Sequence, residues 1–253
     1  MNKINYLRKI RRKLDRGLPS IGGWMQIPNG CVAEIMGAAG YDWIVVDMEH
    51  GSIGVNNLPD LFRSIELGNT LPFARVADGT AKECKQALDA GAAGIIVPNI
   101  QDSDQIIAAR DACRWPPAGR RGVGFCRANL YGGNFRNYAR EAQSPFLVAM
   151  LEDVRAIDNL DSILRVDGLD AVLLGPYDLS ASLNQTAKFN HPKYLHVMKT
   201  IVKKTNAHSI PVGIHVVEPS VRELNKKIKQ GFQFLPFSID TVLLRNNIGK
   251  IIK

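Results

Sequence analysis

Glu152 directly follows the apolar run "PFLVAML", and Asp178 stands in "GPYDLSAS", the loop expected just after the run "DAVLLG". No cysteine or second histidine accompanies them, so the pair reads as a hard, oxygen-only ligand set. Such a set suits Mg²⁺ or Mn²⁺ better than a structural Zn²⁺ and leaves coordination positions for water or substrate. A 2-oxo acid, with a carboxylate and a keto oxygen on adjacent carbons, would fill two of those positions. Polarising the keto group acidifies the neighbouring carbon, and the resulting enolate needs a partner that stays charged at every working pH. Arg75, at the end of "LPFAR", can be that partner. Histidine is the side chain suited to moving a proton near neutral pH, and His50, in "VVDMEHG", can do so here. These are the parts for making or breaking a carbon–carbon bond beside an enolate. No lysine stands at the inner end of an apolar run, which argues against a Schiff-base aldolase.

Each residue alone also has a plainer reading. Aspartates at strand ends often cap the next helix, and Asp153 and Asp178 are both placed to do so. Arg75 could simply pair with a carboxylate, and a lone histidine is more often structural than catalytic. Trp24 and Gln26 end the first apolar run, and His215 ends the seventh. Asp47 and Glu49 flank the same turn as His50, with Glu49 the weakest candidate, since a flanking carboxylate can act only by tuning its neighbours.

The elements that would hold these groups follow from the apolar pattern. Eight short runs occur at 21–27, 42–47, 71–76, 93–98, 145–151, 170–175, 210–215 and 232–238, each followed by a segment with helical spacing. Helices are expected from capping Asn29 to Gly40, from Thr80 to Gly91, and over 55–67, 102–113, 153–164, 192–207, 218–229 and 239–252. Strands apolar on both faces that alternate with helices imply parallel pairing under a helical cover. Eight such units predict a single-domain (β/α)8 TIM barrel over residues 1–253. An open doubly wound sheet is the competing architecture, but "GGWMQIPNG" lacks the GxGxxG turn of its dinucleotide-binding form. In a barrel, chemistry belongs at the C-terminal ends of the strands, where all the candidates above are found. Ile4, Leu7, Ile10 and Leu14 predict an additional N-terminal helix that closes one end, without the apolar core of a secretory signal.

Charge and cysteine usage narrow the classes. The net charge of +8 is uneven: residues 1–16 carry +6, residues 199–253 carry +7 and the remainder −5. That places the basic excess on terminal, solvated helices and not on a nucleic-acid face, and the Arg-rich stretch 120–140 is broken by Gly and Asn into a loop-like context. Cys31, Cys84, Cys113 and Cys126 show neither a CxxC pair nor metal spacing, so reduced thiols in a cytoplasmic protein are expected. No apolar run approaches the length of a membrane span.

The stretches "GGWMQIPNGCVAEIMGAAGYDWIVVDMEHG", "LPFARV", "ALDAGAAGIIVPNIQ", "WPPAGRRGVG", "LEDVRAIDNLDSIL" and "GPYDLSASL" together resemble the HpcH/HpaI aldolases, metal-dependent class II pyruvate aldolases, over nearly the whole chain. The resemblance implies that Glu152 and Asp178 hold a divalent cation (Mg²⁺, Mn²⁺ or Co²⁺), with no organic cofactor. It implies that Arg75 contacts the keto oxygen, that His50 is the catalytic histidine and that Asp47 is its polar companion. Gly175, Pro176 and Tyr177 would bind the pyruvate carboxylate, and Trp24 would line the substrate site. Asp89, in "ALDAG", would orient the histidine. Because Asp89 ends the helix before the fourth strand, it could reach a histidine only on another subunit; local pairing or capping is the open alternative. The resemblance further implies a homohexamer that exchanges its last helix between subunits, and reversible cleavage of 4-hydroxy-2-oxo acids to pyruvate and an aldehyde. Two further readings stay open: a lyase or synthase using oxaloacetate or an acyl-thioester, and a barrel without catalysis that serves binding or assembly. Two departures stand out. Met150 replaces the glutamine common two positions before the metal-binding glutamate, and "PFSID" replaces a small Gly-containing turn near strand eight.

Overall fold

The computed structural model describes residues 1–251. Eight parallel strands pair in sequence order and close on themselves. They are β1 (Ser20–Met25), β2 (Trp43–Asp47), β3 (Leu71–Arg75), β4 (Gly94–Val97), β5 (Phe146–Leu151), β6 (Ala171–Leu174), β7 (Val212–Ile214) and β8 (Phe234–Pro236). Closure comes from β1 against β8, with Ser20 opposite Phe234. Helix α1 (Lys3–Asp15) precedes the barrel, and the connections carry α2 (Gly30–Gly37), α3 (Leu58–Leu67), α4 (Ala81–Ala90), α5 (Ser103–Cys113) and α6 (Phe135–Glu141). After β5 come α7 (Arg155–Asp158) and α8 (Leu160–Leu164), and after β6 come α9 (Pro176–Ser182) and α10 (Pro192–Ala207). Helices α11 (Val221–Lys229) and α12 (Asp240–Ile251) follow β7 and β8. The architecture is the expected TIM barrel. No helix among the described residues is long and apolar enough to cross a membrane.

Local chemistry explains most boundaries. Thr80 accepts the Glu83 N–H at the start of α4, and Gly91, at φ +113°, ends it in the left-handed conformation that strains glycine least. Asp102 and Gln105 form a capping box on α5. Three expectations need correction. Helix α2 stops at Gly37, short of Gly40, where close packing of Gly37 on the Ile65 backbone leaves no space for a Cβ. The expected helix 153–164 is two short pieces broken at Asn159. "GPYDLSAS", read as a loop, is helix α9 with Pro176 in its first turn, a position where no helical hydrogen bond is lost for want of an N–H.

The barrel interior at the N-terminal end is aromatic. Trp43 stacks on Phe234 at 4.2 Å and on Phe73 at 5.7 Å, and Phe73 stacks on Phe146 at 5.3 Å. Gly22 makes room for this layer, since a Cβ there would run into the Trp43 ring. Leu7, Ile10 and Leu14 of α1 are buried against the same cluster, so the helix closes this end as its spacing predicts. Its basic residues are not simply solvated. Arg11 pairs with Asp170 at 2.6 Å, Lys13 with Asp42 at 2.6 Å and Lys3 with Glu66 at 3.0 Å. Much of the local positive excess is therefore docking charge.

Candidate functional site

At the opposite end, the parallel register of β2 and β3 sets Asp47 beside Arg75. The two side chains form a bidentate pair, with Nη2 donating to Oδ2 at 2.6 Å and Nε to Oδ1 at 2.8 Å. Both are buried. Asp47 Oδ2 also accepts from Trp24 Nε1 at 3.1 Å and from Gln26 Nε2 at 2.9 Å, while Oδ1 accepts the backbone N–H of Glu49 at 3.1 Å. Burial alone would raise this carboxyl, but the Arg75, Gln26 and Trp24 interactions outweigh it and hold it down at about 2. The Arg75 guanidinium lies 4.8 Å from the Trp24 ring centre, which adds a cation–π contact.

The guanidinium edge left over meets two further side chains. Nη1 lies 2.8 Å from Glu49 Oε2 in an ion pair without a hydrogen bond, and 3.9 Å from Met150 Sδ. A soft thioether therefore stands where the resemblance leads one to expect an amide. Glu49, the weakest candidate by sequence, proves to be the second carboxylate on Arg75. Burial raises its pKa against the opposing charge of Arg75.

Glu152 is buried at the end of β5 with one hydrogen bond, from the Asn99 N–H to Oε2 at 2.9 Å. Oε1 faces Gly175, where a Cβ would sit 2.6 Å away. Burial, with Glu49 and Asp178 adding like charge, pushes Glu152 up to about 7 despite the Asn99 bond and Arg75. Asp178 lies exposed in the first turn of α9. Among the described residues its carboxylate takes part in no hydrogen bond or ion pair. A crowded set of carboxylates with free oxygens is the donor chemistry a divalent cation requires, so the residues fit one. No group of three or more His, Cys, Asp or Glu could hold a metal among the described residues, so a two-carboxylate site would leave the remaining positions to water and substrate.

The other candidates divide. His50 is exposed, with its backbone N–H 3.4 Å from Asp47 Oδ1. Gly175 caps α9, Pro176 follows, and the half-exposed Tyr177 ring packs edge-on against Phe189 at 5.2 Å. Asp153 accepts from the backbone N–H and guanidinium of Arg155 and serves the start of α7 locally. Asp89 stands at the C-terminal end of α4, at the far end of the barrel, 4.0 Å from Arg121 Nε. Burial raises its pKa against the charges of Arg121 and Lys85.

The supporting contacts of three more residues emerge only in the folded chain. His215 packs against Trp24 at 4.7 Å with the rings tilted by 35° and Nε2 3.1 Å from the Ser238 carbonyl, and burial drops its pKa to about 4. Asp240, which sequence reasoning missed, accepts the backbone N–H groups of Gln26 at 2.9 Å and Ile27 at 2.9 Å, tying α12 to the end of β1. Gln26 then passes that tie to Asp47. "PFSID" carried the signal for Asp240, but its partner lies 214 residues away.

The sequence model of the HpcH/HpaI aldolase/citrate lyase family matches residues 20–247. A hydroxypyruvate/pyruvate aldolase of Roseobacter denitrificans is 34% identical over 248 residues, covering 97% of this chain and 96% of that protein. A 2-keto-3-deoxy-L-rhamnonate aldolase of Klebsiella pneumoniae is 35% identical, covering 92% and 88%. Among solved structures, an aldolase/citrate lyase family protein from Burkholderia cenocepacia superposes with a TM-score of 0.90 at 27% identity, covering 96% of this chain and 97% of its own.

Proposed function

Because the chain belongs to the HpcH/HpaI aldolase/citrate lyase family, and with it to the carbon–carbon lyases, we propose that it reversibly cleaves 4-hydroxy-2-oxo acids to pyruvate, or a close 2-oxo acid, and an aldehyde. The observation that carries this reading is Arg75, clamped by Asp47 at the strand ends, with its remaining edge on Glu49 and its charge felt by Glu152.

In this reading Glu152 and Asp178 hold a divalent cation, which supplies Lewis acidity toward a chelating 2-oxo acid. Arg75 binds the keto oxygen and offsets the negative charge that builds there as the C3–C4 bond breaks. Its bidentate clamp fixes the guanidinium plane before substrate arrives, so little reorganisation is needed in the transition state. Asp47 stays ionised throughout and acts as Arg75's anchor, not as an acid. His50 takes the proton of the 4-hydroxyl as the aldehyde forms, directly or through water, and a proton returned to C3 completes pyruvate. The Gly175–Tyr177 turn receives the substrate carboxylate, and Trp24 walls the same space. Met150 offers Nη1 a weak sulfur acceptor in place of an amide, so substrate competes for that edge mainly with Glu49.

Assembly belongs to the same proposal. Asp89 and His50 lie at opposite ends of one barrel, so Asp89 acts on the histidine of another subunit of a homohexamer in which α12 is exchanged. We place the enzyme in the cytoplasm.

The test is activity of purified protein with Mg²⁺, Mn²⁺ or Co²⁺ toward pyruvate plus a panel of aldehydes, toward 2-keto-3-deoxy-L-rhamnonate, and toward oxaloacetate as a decarboxylation substrate. A chelator and Glu152→Ala should each remove activity by about a thousandfold, roughly 4 kcal/mol of transition-state stabilisation. Activity that survives both would refute the metal assignment, and inactivity toward all substrates would refute the aldolase.

A further inference from the structure

Between α10 and α11 the helical wall of the barrel is open. A cleft of about 910 Å³ runs there, with Pro176, Tyr177 and His215 among its lining and Phe232 on its floor. That volume lies within the range of small-molecule sites and is far larger than a three-carbon keto acid needs. The floor is apolar: Tyr194, Met198 and Val202 of α10 face Ile214, Val216 and Phe232. The rim is basic, with Lys199 and Lys203 on α10 and Lys226 and Lys227 on α11.

The charge of this rim is not neutralised from within. Two acidic residues, Glu218 and Glu223, line the cleft, and both are engaged: Glu218 by Arg245 at 3.0 Å, Glu223 by Lys226 at 3.5 Å. Among the described residues, Lys199, Lys203 and Lys227 have no ion pair. Lys227 is the telling one. Its ammonium stands 5.9 Å from the Phe232 ring centre, and burial lowers its pKa. A partly desolvated ammonium over an aromatic floor gains more from an anion than a solvated surface lysine does. An aromatic chain also links the cleft to the reaction end, through Tyr177 on Phe189 at 5.2 Å and Phe189 on Tyr194 at 5.6 Å.

We propose that this cleft is a binding site for an amphipathic anion, a small molecule with an aliphatic body on the Met198–Val202–Phe232 floor and a carboxylate or phosphate at Lys227. Apolar burial at about 25 cal/mol per Å² supplies the binding energy, and the lysines select the anion. Its position against Tyr177 makes it contiguous with the turn that carries Asp178, but its occupancy does not depend on the aldolase reading.

The probes are decanoate and decyl phosphate, titrated calorimetrically into the full-length protein without keto acid or added metal. One site per chain is expected, weakened about tenfold by Lys227→Met, which keeps the apolar stem and removes one charge-assisted hydrogen bond. Val202→Trp, which fills the floor, should abolish binding. Lys9→Met, on α1, should leave it unchanged. Absence of binding by either probe, equal weakening by Lys9→Met and Lys227→Met, or a change of oligomeric state in Val202→Trp that marks the cleft as a subunit contact would each overturn the proposal. Because the readout is heat of binding, it is the same whether or not the protein turns over any keto acid.

Discussion

At the N-terminal end of the barrel, Trp43, Phe73, Phe146 and Phe234 stack on one another beneath α1, and the Trp43 N–H finds the Ser20 hydroxyl at 3.0 Å. At the C-terminal end the buried interior positions go to Asp47, Arg75 and Glu152. The strands are the same and the fold supports both, but the physical consequences differ. Packed aromatic area stabilises the fold in any protonation state. Buried charge loses hydration, and only partners offset that loss; Asp47 has them in full and Glu152 in part. One end is built for stability, and the other gives up stability to hold a charged array.

The largest expected separation comes from Trp43→Ala. Removing the centre of the stack should cost about 3–5 kcal/mol in urea unfolding, by the same amount at each pH, with activity per folded molecule intact. A loss of turnover at constant stability would erase the contrast.

Next in size is the pH dependence of the mouth. His215 titrates near 6.5 when unfolded and at about 4 when folded, so the folded state binds its proton less well. The stability it supports is present above pH 6.5 and is lost as pH falls toward 4, up to about 3 kcal/mol for a shift of this size. His215→Phe keeps the ring on Trp24 and should flatten that decline, as read from urea unfolding at pH 7, 5.5 and 4.5. An unchanged pH profile would show that His215 does not govern the decline.

The smallest effect expected is Gln26→Met, which deletes one donor to Asp47 and keeps the side-chain length. Turnover should fall about tenfold, near 1.4 kcal/mol, with stability changed by less than about 1 kcal/mol. Equal losses in both would make Gln26 structural, like the aromatic end.

The alternation of apolar runs and capped helices made the barrel legible, because strand burial, the Thr80 cap and the Gly91 stop are all local. Asp47, Arg75, Glu152 and Asp178 were legible as strand-end polar residues on the same grounds. Glu49 was legible only as a flanking carboxylate, since its pairing rests on reaching across to Arg75 once β2 and β3 are in register. Helix α9 was read as a loop because seven residues opening on Gly-Pro carry little periodicity. The N-terminal charge was misjudged for a related reason: Asp170 and Asp42 lie far along the chain from Arg11 and Lys13.

For directed evolution of the acceptor range, the mouth has closed and open positions. Any side chain at residue 175 would run into the Glu152 carboxylate, so a library there displaces that carboxylate before it can gain a new pocket. Met150 is buried in the barrel core with its sulfur 3.9 Å from Arg75 Nη1, whereas the Tyr177 side chain is half exposed. Variation is best tolerated at Tyr177, and position 175 is where a selection experiment would return only glycine.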